Sequence, residues 1–146
     1  MISKTITYID YFGNERTDTF YFNLSKAELV KLELSTNING NEGFAQSAQR
    51  IIDSNDRENL IKLFDKLIIE SYGERSQDGK RFAKTDENGN KLGEAFSETE
   101  AYSELFMELC SNSDEAANFI KGIIPSDLEK KYEENINNAI AGANQN

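Results

Sequence analysis

Acid–base or nucleophilic catalysis needs a histidine, an activated thiol, or carboxylates held in unequal environments. This chain of 146 residues contains no histidine. That removes Ser-His-Asp and Cys-His catalysis, and with them histidine as a metal ligand. The only cysteine, Cys110, stands in a helix-like segment and reads as a small buried hydrophobe in a reducing compartment. Gly40 and Gly43 are not followed by Lys-Ser/Thr and follow no strand pattern, so they make no phosphate loop. Asp86-Glu87-Asn88-Gly89-Asn90 opens like a calcium loop. However, Lys91 stands where that loop needs glycine and Ser97 where it needs a bidentate glutamate, so a turn is expected. The many acids fall mostly on polar helix faces, where nothing raises a carboxyl pKa. No catalytic residue, metal ligand or cofactor is therefore expected, and the chain reads as non-enzymatic.

One charged feature rises above this background. Between Lys91 and Lys121 there is no Lys or Arg, while Glu94, Glu98, Glu100, Glu104, Glu108, Asp114 and Glu115 all occur. Glu100, Glu104 and Glu108 are spaced by four and line one face of a helix, where like charges repel by a few tenths of a kcal/mol per pair. Such a face can be a solvated one whose first acids favour the helix N-terminus, or an anionic strip offered to a basic partner. Glu98, Glu100, Tyr102, Glu104, Phe106 and Glu108 are the candidate partner-binding residues. Upstream, Arg75, Lys80, Arg81 and Lys84 form a basic stretch able to pair with the strip within the molecule or between subunits.

The elements that position these residues can be read from periodicity. Thr5–Ile9 and Thr19–Phe22 are rich in β-branched and aromatic residues, and Phe12-Gly13-Asn14-Glu15 supplies a turn, which predicts a hairpin over 4–22. Ser25-Lys26-Ala27-Glu28 is a capping box opening a helix through Leu34, ahead of a polar loop over 35–43. A short helix is expected over 44–53. Over 56–72, Leu60, Leu63, Phe64, Leu67, Ile68 and Tyr72 follow helical spacing, with Gly73 as the expected C-terminal cap. Asp78-Gly79 and Asn88-Gly89 mark turns, so residues 74–93 form a second small hairpin or an ordered loop. Ser97-Glu98-Thr99-Glu100 reads as a capping box for a helix to Ser111, and Ser113 as the cap of the next, which Pro125 ends. A last helix with a frayed end is expected over 126–146.

The expected fold is thus α+β: an N-terminal β-hairpin packed on a mainly α-helical bundle of about five to six helices. One domain over 1–125 suits the length. The formal charge of −10 disfavours nucleic acid or an anionic membrane as partner. No apolar run approaches the ~20 residues that cross a membrane, and the N-terminus alternates like a strand, so a cytosolic protein is expected.

Several segments resemble the tail assembly chaperones of long-tailed bacteriophages. They are Phe20-Tyr21-Phe22-Asn23-Leu24-Ser25-Lys26-Ala27-Glu28, Ser71-Tyr72-Gly73-Glu74 and Asp78-Gly79-Lys80-Arg81-Phe82, then the run from Glu94 to Leu109, and Phe119-Ile120-Lys121-Gly122-Ile123-Ile124-Pro125. The stretch from Ala95 to Leu109 is the most specific, and residues 126–146 lie outside the resemblance. It implies a late, non-enzymatic protein of the host cytoplasm, absent from the mature virion. Such a protein coats the tape measure protein and keeps it soluble while tail tube subunits assemble. It also implies self-association, with the tape measure and the tube protein as partners. The alternative is a structural or assembly subunit of the virion.

Overall fold

The computed structural model describes residues 1–36, 44–54 and 56–125. The helix expected over 126–146 and most of the polar loop over 35–43 lie outside these residues. The first two strands, β1 (Ile2–Ile9) and β2 (Glu15–Phe22), form one long antiparallel hairpin, with Ile2 opposite Phe22 and Ile9 opposite Glu15. Side chains alternate across a strand. Ile2, Ile6, Tyr8, Phe20 and Phe22 therefore turn one face to the core. The other face carries two cross-strand threonine pairs, Thr5–Thr19 and Thr7–Thr17, each at 2.9 Å between hydroxyls.

Six helices follow among the described residues. They are α1 (Lys26–Thr36), α2 (Phe44–Ser54), α3 (Arg57–Ser71), α4 (Leu92–Ser97), α5 (Glu100–Ser111) and α6 (Ser113–Ile123). Two short strands, β3 (Tyr72–Arg75) and β4 (Phe82–Ala83), extend the sheet to four strands in the order β1-β2-β3-β4. This is the expected α+β arrangement of a hairpin on helices, with the second hairpin present. The expected capping box forms: the Ser25 amide donates to Glu28 Oε1 at 3.0 Å, and the Glu28 amide to Ser25 Oγ at 3.1 Å. In α3, Leu60, Leu63, Phe64, Leu67 and Ile68 are all buried, as their spacing requires.

Four local expectations need correction. Gly73 does not cap α3. It lies in β3 opposite Tyr21, and its missing Cβ is needed because the Phe82 ring and the Ala83 carbonyl stand 2.6 and 2.7 Å from where one would be. Ser97 closes α4, donating to the Glu94 carbonyl, while Thr99 caps α5 by accepting from the Tyr102 amide at 3.2 Å. Asn112, rather than Ser113, caps α6, its Oδ1 accepting from the amides of Asp114 and Glu115. The helix α4 itself is absent from the sequence reading.

The core is aromatic at its centre. Phe22 meets Tyr72, Phe96 and Phe119 edge-on at 5.8, 5.7 and 5.3 Å between ring centroids, and Tyr72 stacks on Phe96 at 4.5 Å. These rings join β2, β3, α4 and α6. Beyond Phe22 the chain is pinned between two helix ends, the Asn23 amide donating to the Ser71 carbonyl and the Leu24 amide to the Ile123 carbonyl.

Lys84 locks the same junction from outside. Its ammonium donates to the carbonyls of Asn23 and Glu70 and to Glu28 Oε2, all at 2.8 Å, which uses its three protons. Burial opposes the ionisation of Glu28, but Lys84 and the Ser25 amide outweigh it and hold the carboxyl below the usual glutamate range. A folded value below the unfolded one stabilises the protein above the usual glutamate pKa, and that stability fades as pH falls through the folded value. Lys84→Met is expected to lose about 2–3 kcal/mol in urea denaturation at pH 7, less than a fully buried pair because Lys84 and Glu28 are 20 and 34 % exposed. The gap to the parent protein should narrow below about pH 4 as Glu28 protonates. A loss independent of pH would mean that the carboxylate contributes nothing.

Candidate functional site

The helix α5 carries most of the candidate surface. Successive residues turn by about 100°, so Ala101, Leu105 and Leu109 fall together, and all three are buried. The opposite face gathers Glu100, Glu104, Met107 and Ser111. Glu104 is exposed, with no ion pair or hydrogen bond to its carboxylate among the described residues. Met107 is 59 % exposed. Glu98, just before the helix, is exposed and its carboxylate is likewise unpaired among the described residues.

The structure divides the six sequence-selected residues into three groups. Glu98 and Glu104 are exposed, whereas Glu100 and Glu108 lie on the side of α5 that meets the hairpin. There Lys4 of β1 lies 3.3 Å from both Glu108 on α5 and Glu115 on α6, with its side chain only 17 % exposed. Tyr102 reaches α3 instead, with Phe106 beside it. Tyr102 stacks on Phe106 at 5.8 Å, meets Phe96 edge-on, and donates its hydroxyl to Asp65 of α3. Burial, reinforced by Asp65, pushes the Tyr102 phenol well above its ordinary pKa, so it stays a donor. Those two aromatics are therefore occupied within the fold.

The upstream basic stretch does not meet the strip. Lys84 serves the junction described above, and the Arg75 guanidinium lies 4.1 Å from the Tyr21 ring centroid on the outer sheet face. The strip's internal cation is Lys4, which lies far away in sequence. Between α1 and α3 is a separate cleft of about 340 Å³, lined by Leu24, Leu32, Lys31, Lys66, Lys91 and the two acids Glu28 and Glu70. Lys91 pairs with Glu70 across it at 2.6 Å.

Sequence reasoning placed the turn of the first hairpin but did not select it as a candidate surface. Asp10 organises it: one carboxylate oxygen accepts from the amides of Phe12 and Asn14, the other from Arg16 Nε, and Gly13 takes φ +83°. The turn holds Tyr11 and Phe12 outward, 74 and 91 % exposed, beside Ile9 at 54 %. The nearby Glu100 carboxylate raises the Tyr11 phenol pKa, which sets the turn beside the start of α5. The available signal was two adjacent aromatics where turn chemistry asks only for small or polar residues.

Two other candidate chemistries can be placed. Burial pushes the Cys110 thiol upward, despite nearby Arg57, so it is not an activated thiolate. The Asp86 carboxylate accepts from the amides of Asn88 and Asn90, and Gly89 takes φ +82°, which makes this segment a turn closed on itself. Among the described residues, no group of three acids or cysteines lies close enough to hold a metal ion, and no helix is long and apolar enough to cross a membrane.

Fold and surface together define a small α+β domain with a projecting hairpin clasped by two acidic helices. The family model described as phage tail assembly chaperone matches residues 1–146, the whole chain, including the segment after Pro125 that the quoted motifs do not reach. The chain belongs to the phage tail assembly chaperone family. No curated protein and no solved structure matches it. Membership in a chaperone family points to a non-enzymatic role in building the tail.

Proposed function

We propose that this chain binds the tape measure protein in the host cytoplasm and keeps it soluble while the tail tube assembles, and that it is absent from the finished virion. Family membership over the whole chain carries this reading. The exposed, unpaired carboxylates of Glu98 and Glu104 support it, since acids at the rim of an apolar contact favour solubility and set register. Residues 1–125 act as the holding domain, and tube subunits and further copies of the chain are the other partners.

Co-expression with the neighbouring tape measure gene is expected to move the tape measure into the soluble fraction as a complex. If the tape measure stays equally insoluble with and without this chain, the reading fails. Mass spectrometry of purified virions should find the tape measure and not this chain. Stoichiometric recovery from the particle would make it a structural subunit instead.

A further inference from the structure

We propose that the β1–β2 turn and the exposed face of α5 form one docking site for an amphipathic helix that carries Lys or Arg beside its apolar stripe. Tyr11, Phe12 and Met107 receive the stripe, and Glu100 and Glu104 receive the cations. The proposal rests on the reading above, that the partner is an apolar helical segment, and adds where that helix seats and what charge it bears.

Three observations carry it. First, the exposure is concentrated: Ile9, Tyr11 and Phe12 fall within four positions of one turn, whereas Val30 and Ile61 are exposed singly. Isolated exposed apolar residues are ordinary, but contiguous ones mark contact surfaces. Second, the turn is preorganised. Asp10 makes three hydrogen bonds within it, so the aromatics are presented with little further ordering cost on binding. Aromatic anchors of this kind dominate interface energies. Third, the uncompensated charge beside them is acidic, because the turn's own cation, Arg16, is paired with Asp10. Glu100 and Glu104 share the α5 face with Met107, and from Glu94 to Ile120 there is no Lys or Arg. An acidic or neutral helix would leave those carboxylates uncompensated, so complementarity selects a basic one.

The test is a fluorescence-anisotropy titration of the full chain with two synthetic amphipathic peptides, one built from leucine and lysine, the other from leucine and glutamate. The chain should bind the lysine peptide at least about tenfold more tightly, and added salt should shrink that preference. Phe12→Ser, at a side chain almost wholly in solvent, should leave the melting curve unchanged and weaken the lysine peptide about tenfold. Glu104→Gln should weaken the lysine peptide several-fold and spare the glutamate peptide. Equal affinity for the two peptides, or wild-type affinity in Phe12→Ser, overturns the site. So does a Phe12→Ser chain that loses a dimer in light scattering while keeping peptide affinity, because the turn then serves self-contact. Co-expression separates this proposal from the one it rests on. If Phe12→Ser solubilises the tape measure as well as the parent does, the docking site is wrong and the chaperone reading stands. If the parent solubilises nothing, the chaperone reading is wrong, and the peptide titration judges the docking site alone.

Discussion

Gly93→Ala should cost at least about 3 kcal/mol, enough to strip α4 from the body of the protein at ordinary temperature. A Cβ at this position would lie 1.8 Å from the Ile69 carbonyl oxygen, 2.7 Å from its carbon and 2.9 Å from the Ile69 Cα. Ordinary contact needs about 3.5 Å. All three atoms are backbone in the last turn of α3, so no side chain can rotate away, and α4 must retreat as a unit. Retreat withdraws Phe96, the residue three positions on, from its stack on Tyr72 and its edge contact with Phe22. It also breaks the hydrogen bond from the Leu92 amide to the Lys84 carbonyl. Gly89→Ala is the informative control. That residue has φ +82° but open space around it, so the change costs only the left-handed backbone strain, about 1 kcal/mol. Thermal melts of the two variants should therefore separate clearly, with Gly93→Ala far lower. Equal melting temperatures would show that α4 does not sit against α3 as described.

Where the sequence could be read, and where it could not, follows from the range of the interactions. Local rules suffice for the Ser25–Glu28 box and for the buried stripe of α3, because each is closed within one or two helical turns. The same rules misplace the start of α5. Ser97 and Thr99 are both competent caps, and Ser97 with Glu100 even fits the box pattern. The choice falls to Thr99 because Phe96, packed among aromatics from β2, β3 and α5, fixes a helical turn that ends at Ser97. Gly73 reads as a cap for a similar reason: its true constraint is Phe82, which returns only through the second hairpin.

The candidate site shows the same division. The acidic periodicity of α5 is visible in sequence, but not its division between Lys4, Tyr11 and solvent, since those partners come from the opposite end of the chain. Tyr102 and Phe106 look available by composition and prove to be committed to α3 and to each other. The residues that replace them as exposed apolar surface, Phe12 and Met107, were hidden in a turn and among acids.

Phe22→Ala should be the most damaging change in the hairpin, lowering stability by about 3–5 kcal/mol and the melting temperature by roughly 10 °C or more. Phe22 is fully buried and holds edge contacts with Tyr72, Phe96 and Phe119 at once, so truncation leaves a cavity bounded by rings on three elements. Those rings are braced by one another and cannot collapse into the gap. Phe22→Leu keeps most of the apolar volume and forfeits only the ring geometry, about 1–2 kcal/mol. The pair of variants thus separates cavity from aromatic contact. The prediction reaches the function because Phe22 ends β2, and Tyr11 and Phe12 sit at the far end of the same hairpin. Weakening this anchor should loosen the turn before the helices unfold. Hydrogen exchange should then show faster amide exchange in Ile6–Ile9 and Glu15–Thr19 of Phe22→Leu than in α3. If the amides of α3 open together with the hairpin, the hairpin and the helices form one cooperative unit. The turn would then gain no independent mobility from a weakened anchor.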